Sequence, residues 1–147
     1  MNTQEFIKPN GMLRVIVTGP DGQIKTDETF KNLVVNVGKD FVASRMVAAS
    51  ATVMSDMAIG SGTTAAAAGD TTLQSELGRV TLASASATGA VVTYTASFPA
   101  GTATGAITEA GIFNAAVAGT MLCRTVFSVV NKGANDSMSV TWTVTVS

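Results

Sequence analysis

The chain has 147 residues, the size of one ordinary domain, with a formal net charge of −1, 13% charged residues, one cysteine and no histidine. The near-neutral balance excludes the basic footprint that a phosphate backbone or an anionic membrane attracts, so neither nucleic acid nor membrane is an expected partner. The missing histidine removes Ser-His-Asp and Cys-His catalysis, histidine-containing zinc sites and the usual proton shuttle at neutral pH.

Residues 1–10 have no periodicity of their own and read as an N-terminal arm, with Phe6 and Ile7 as apolar anchors and Lys8 beside them. They carry neither a basic start nor the apolar stretch of a secretory signal, so synthesis in a cytoplasm without export is expected. Residues 11–147 then form a single β domain. Residues 11–18 predict a strand, Gly19-Pro20-Asp21-Gly22 a tight turn, and residues 23–30 the returning strand of a hairpin. Between residues 37 and 49 the apolar positions Phe41, Val42, Met46 and Ala49 recur at helical spacing, which predicts about three turns of helix covering one face or one open end of a sheet.

Residues 53–59 predict a short strand leading into Gly60-Ser61-Gly62-Thr63-Thr64 and the alanine run 65–68. The Gly60-Ser61-Gly62 loop lacks the Gly-Lys-Ser/Thr of a phosphate cradle and reads as a plain loop. Asp70 as an N-cap, Leu73 and Leu77 four apart and Gly78 as a stop predict a second short helix over 70–78, which Asp70 and Glu76 would cap and solvate.

From residue 79 onward only Arg79, Glu109, Arg124, Lys132 and Asp136 are charged. Strands are predicted over 80–86, 90–98, 106–114 and 121–130, and over 138–147, where Met138, Val140, Trp142, Val144 and Val146 alternate without a fault against Ser and Thr. The inward faces supply the expected core: Val92, Tyr94, Phe98, Phe113, Phe127, Val140, Trp142 and Val144. Cys123, in an apolar run, reads as a buried thiol. The fold class is therefore mainly β, an antiparallel sandwich or barrel of six to eight strands with one or two short helices.

Candidate chemistry is sparse, and no catalytic, cofactor or metal site is assigned. Asp21-Gly22-Gln23 and Asn135-Asp136-Ser137 fall short of the ligand count of a calcium loop and read as turns. Glu109 stands alone in an apolar strand, where a buried carboxylate needs a cation. Arg79 or Arg124 is the natural one, in a structural ion pair or an interface contact. Phe6, Ile7, Lys8, Glu109 and Arg124 are the candidate interface residues.

The ordered set Gly60-Ser61-Gly62-Thr63-Thr64, Gly69-Asp70-Thr71-Thr72-Leu73, Glu76-Leu77-Gly78-Arg79, Thr108-Glu109-Ala110-Gly111-Ile112-Phe113-Asn114 and Gly119-Thr120-Met121-Leu122 with Arg124 resembles small virion proteins of tailed bacteriophages and prophages. The same order of motifs is similar to the N-terminal, virion-attached domain of phage tail-collar fibres. The resemblance implies a non-enzymatic virion structural protein. Because no repetitive shaft follows the last strand, a capsid decoration (cement) protein is expected before a tail-fibre attachment or tail-tip module. Its implied partners are the major capsid protein and further copies of itself, a trimer suiting local three-fold positions. Its implied location is the capsid surface, after synthesis in the host bacterial cytoplasm.

Overall fold

A computed structural model describes residues 8–47 and 52–146. In chain order they form β1 (Pro9–Thr18), β2 (Ile24–Val34), α1 (Asn36–Ser44), β3 (Asp56–Gly60), β4 (Glu76–Thr81), β5 (Ser84–Thr88), β6 (Val91–Phe98), β7 (Gly105–Phe113), β8 (Met121–Lys132) and β9 (Ser137–Val146). The strands make one antiparallel sheet in the order β4-β3-β7-β8-β2-β1-β9-β6-β5, curled into a half-barrel. Among the described residues the fold is thus mainly β with one helix, and the nine strands exceed the expected six to eight.

The curl follows from two narrow joints. β2 meets β8 only through Leu33 opposite Arg124 and Val34 opposite Cys123, and beyond that the strands diverge around the stacked rings of Phe30 and Phe127, 4.6 Å apart. At the other margin, Leu82 and Ala83 alone link β4 to β5, the two ends of the strand order. Three Cα steps span at most about 11 Å, so the opposite margins meet at this corner. A five-stranded layer and a four-stranded layer thereby face each other across one core, in which Leu13, Val15, Phe98, Val140 and Trp142 from one meet Met57, Ile59, Ile107 and Ile112 from the other.

β9 behaves as its alternation predicts. It lies between β1 and β6, with Leu13 and Tyr94 on either side of Trp142, and Met138, Val140, Trp142 and Val144 are buried. Tyr94, Phe98, Phe113 and Phe127 are buried as well, whereas Val92 is only half-buried at the margin of the core. The β1–β2 hairpin turns at Gly19-Pro20-Asp21-Gly22, where Gly22 takes φ 80° and the Asp21 carboxylate accepts the Gln23 N–H.

Four sequence expectations are corrected. The helix ends at Ser44, and Phe41 and Val42 pack on the core while Met46 is exposed; Ala49 lies outside the described residues. No helix forms over 70–78, because the Gln74 and Ser75 N–H groups, which a helix would bond to its own carbonyls, donate to Glu109 instead. The strand expected over 80–86 is broken at the Leu82-Ala83 corner into β4 and β5. The arm expected over 1–10 is shorter, since Pro9 and Asn10 already pair with Val146 and Thr145. Phe6 and Ile7 lie outside the described residues, and Lys8 is exposed just ahead of β1.

Candidate functional site

β3 and β7 are buried along both faces, although only one face of each meets the core. Their other face is covered by the segment 61–75, and a charged cluster holds that segment down. Glu109 on β7 and Arg124 on β8 are 0% and 2% exposed. The register sets Arg124 opposite Gly111, one alternation from Glu109, so both side chains emerge on the covered face. Both Arg124 Nε and Nη2 donate to Glu109 Oε2, at 3.1 and 2.9 Å. The remaining reach of the guanidinium goes to the segment above: Nη1 to Asp70 Oδ2 at 2.8 Å and Nη2 to the Thr64 carbonyl at 3.1 Å.

Glu109 also binds the segment directly. Its Oε1 accepts the N–H groups of Gly62 and Ser75, at 3.0 and 2.7 Å, and its Oε2 accepts that of Gln74 at 2.9 Å. A bulge in β7 between Ile107 and Glu109 lets the adjacent Thr108 reach the same loop, and its hydroxyl donates to the Gly62 carbonyl at 2.8 Å. Glycine is needed at this approach: a Cβ on Gly62 would lie 2.6 Å from Glu109 Oε1. Burial pushes the Glu109 carboxyl toward protonation, but the N–H donors of Gln74, Ser75 and Gly62 and the Arg124 guanidinium outweigh it. The net effect holds the group below the usual carboxylate range.

The same unit extends along the chain. Asp70 accepts the Ala67 N–H, and Gln74 Oε1 accepts those of Thr63 and Thr64. Leu73 packs with Val35, Ala58, Phe113 and Met121 in a second apolar cluster on the covered face. Arg79 lies 3.8 Å over the Phe113 ring, pairs with Glu76, and donates to the carbonyls of Ala115 and Ala118, which fastens the β7–β8 turn. Within that turn Gly119 takes φ 78°, and Asn114 Oδ1 accepts the Thr120 N–H.

Of the two arginines the sequence offered to Glu109, the partner is Arg124. The sequence reading set Glu109 and Arg124 among the interface residues, and the structure places both beneath the 61–75 segment, Glu109 fully buried and Arg124 nearly so. With both oxygens occupied and its charge paired, Glu109 clamps backbone rather than exchanging protons. Sequence reasoning missed Asp70 as the third member of the cluster, because the helical signal of 70–78 assigned it to a cap. It also missed Lys132, 1% exposed, whose ammonium donates to the Pro99 carbonyl. Lys132 closes a strand that ends in polar residues and carries no signal of burial.

No family model, curated protein or solved structure matches this chain.

Away from this cluster the accessible surface includes a bare strand margin and apolar patches. β5 is exposed along its whole length. An open groove of about 470 Å³ runs beside it, with Phe41, Val53, Met54, Val92 and Tyr94 among its walls. Met46 and Val47, 74% and 71% exposed, follow α1.

Proposed function

We propose that this chain is a non-enzymatic structural protein of a tailed-phage virion, most simply a capsid decoration (cement) protein that docks on the outer shell. One observation carries the reading. The separate motifs that resemble phage virion proteins form a single structural unit, in which Glu109, Arg124 and Asp70 fasten the 60–75 segment onto β7 and β8 and Arg79 fastens the β7–β8 turn. Residues that answer one another in space across 60 or so positions of sequence are better explained as one inherited module than as chance likeness of short motifs.

The physical design suits a shell. The few buried charges of the chain serve to make a stiff two-layered plate, and the outer strand β5 is Ser, Ala and Thr, which can meet another protein with little desolvation cost. A copy repeated over a symmetric shell needs only a standard interface, on the order of 1,200–2,000 Å², because lattice closure multiplies each contact.

The test is to count and locate the protein on virions. Quantitative protein staining is expected to give copies on the order of hundreds per particle, and electron microscopy to show density on the shell. Purified protein should rebind shells stripped of it and raise their resistance to heat. About a dozen copies or fewer, with density at the tail, would replace the decoration role by the tail-attachment one. Absence from purified virions would overturn both.

A further inference from the structure

Four strand margins lack a full partner among the described residues, two of them the free lengths of β2 and β8 that flank the stacked Phe30 and Phe127. The free length of β2 carries Lys25, Asp27, Glu28 and Lys31. β4, at one end of the strand order, carries the paired Glu76 and Arg79. β5, at the other end, is Ser84-Ala85-Ser86-Ala87-Thr88, with every residue exposed and neither charge nor proline. Charges and prolines are how proteins stop a free edge from pairing with another chain. Of the two ends of the strand order, β4 carries such guards and β5 does not, which marks β5 as an edge built to receive a strand.

The groove beside β5 gives such a strand somewhere to place side chains. Ala85 and Ala87 stand opposite Tyr94 and Val92, so they face the groove and leave its wall low. A strand laid along β5 continues the sheet by one spacing, and every second side chain of it points into that apolar space.

The chain itself supplies a matching segment. Phe6 and Ile7 stand just ahead of β1, which starts with Pro9 beside Val146. The Val146 N–H bonds the Ala90 carbonyl, so β1 begins at the end of the sheet where Thr88 pairs with Val91. β9 and β6 separate β1 from β5, which puts the β5 margin three strand spacings, about 14 Å, from Pro9. The three Cα steps from Pro9 to Phe6 cover at most about 11 Å, and no paired length remains at the end of them. A chain's own Phe6 falls short of its own β5 margin, whereas the β5 of a second copy is under no such limit.

We propose that residues 1–7 of one copy add as a strand to the β5 edge of a second copy, with Phe6 entering the groove beside Tyr94. Such a contact is head-to-tail, and it closes into a ring when the rotation between copies allows. It concerns copies of this chain alone and stands whether or not the chain docks on a shell.

Disulfide trapping between two full-length variants tests it. Phe6→Cys and Ala87→Cys proteins are purified separately, mixed, and oxidised mildly in air; Cys123 is fully buried and stays out of the reaction. The expected result is a disulfide-linked heterodimer at least tenfold more abundant in the mixture than dimer in either variant alone, with the emission of buried Trp142 unchanged in both. Adding Ala85→Lys to the Ala87→Cys partner should reduce the link at least tenfold. Dimers from Ala87→Cys alone at equal yield would mean that β5 edges pair with each other. An intramolecular disulfide in a Phe6→Cys/Ala87→Cys double variant, without the heterodimer, would mean that the arm folds onto its own chain. No link in any arrangement would place the arm elsewhere, and each of these three outcomes overturns the proposal.

Discussion

Oε2 of Glu109 receives two N–H groups of Arg124, while Nη1 of the same guanidinium donates to Asp70 and Nη2 also donates to the Thr64 carbonyl in the segment above. The two residues therefore connect the sheet to its covering layer, and neither works without the other. Breaking a buried pair by removing one partner costs about 3–5 kcal/mol, since the remaining charge is left without compensation. Glu109→Gln and Arg124→Met should each fall in that range, lowering the melting temperature by roughly 10 °C in a chain of this size. Arg124→Lys should rescue little, because an ammonium lacks the fork that reaches Glu109 and Asp70 together. A Glu109→Leu/Arg124→Met double variant should also stay destabilised, as the Gly62, Gln74 and Ser75 N–H groups lose their acceptor. Thermal and urea denaturation of the four variants check these orders.

Acid should loosen the covering segment before the sheet. The folded Glu109 carboxyl lies below its ordinary value of 4.5, the hydrogen bonds outweighing burial. A depressed carboxylate stabilises fully above its unfolded pKa, and that contribution is lost as pH falls from about 4.5 through the lowered folded value. Hydrogen exchange of the Gly62, Gln74 and Ser75 amides, followed down that range, should accelerate ahead of that of β9, and the Glu109→Gln variant should show the fast exchange already at neutral pH.

Gly38 marks the closest approach of α1 to the sheet, where a Cβ would lie 2.0 Å from the Leu122 carbonyl oxygen. That oxygen also accepts the Val35 N–H at the helix start. Gly38→Ala, which favours helix by propensity alone, should instead destabilise by about 1–3 kcal/mol through overpacking. A denaturation midpoint at or above that of the parent chain would contradict this.

The Cys123 thiol should be silent in the native protein. Burial pushes it far above its usual range, against the smaller effects of Asn32 and the Ile112 backbone. A thiol-specific disulfide reagent at pH 8 should leave it unmodified for hours in buffer and titrate one equivalent within minutes in denaturant. Fast native reaction would show that β8 opens locally.

How much of this could be read beforehand depended on what covers each strand. β9 was legible because it has one buried face and two full neighbours, so its alternation maps directly onto burial. The strands expected over 53–59 and 106–114 are β3 and β7, but the burial of both their faces was not legible, because it comes from the 61–75 segment and leaves no alternation to read. The helical signal of 70–78 was real as propensity but lost to Glu109, an acceptor 34 residues beyond Ser75. Sequence narrowed the partner of Glu109 to two arginines. Strand register, including a bulge that no residue type announces, decided between them.

Trp142 also has a consequence in time. Its strand is the last of the described elements, yet it lies between β1 and β6 and joins them. While the protein is being synthesised, Leu13, Val15 and Val17 of the first hairpin have no neighbour on that side until residues 137–146 leave the ribosome. Closure of the sheet must therefore wait for residues 137–146, and contacts so distant in sequence favour a slow, millisecond-to-second reaction. A nascent chain halted before residue 137 would carry two unjoined parts of a sheet, each with an apolar edge open to whatever is nearby.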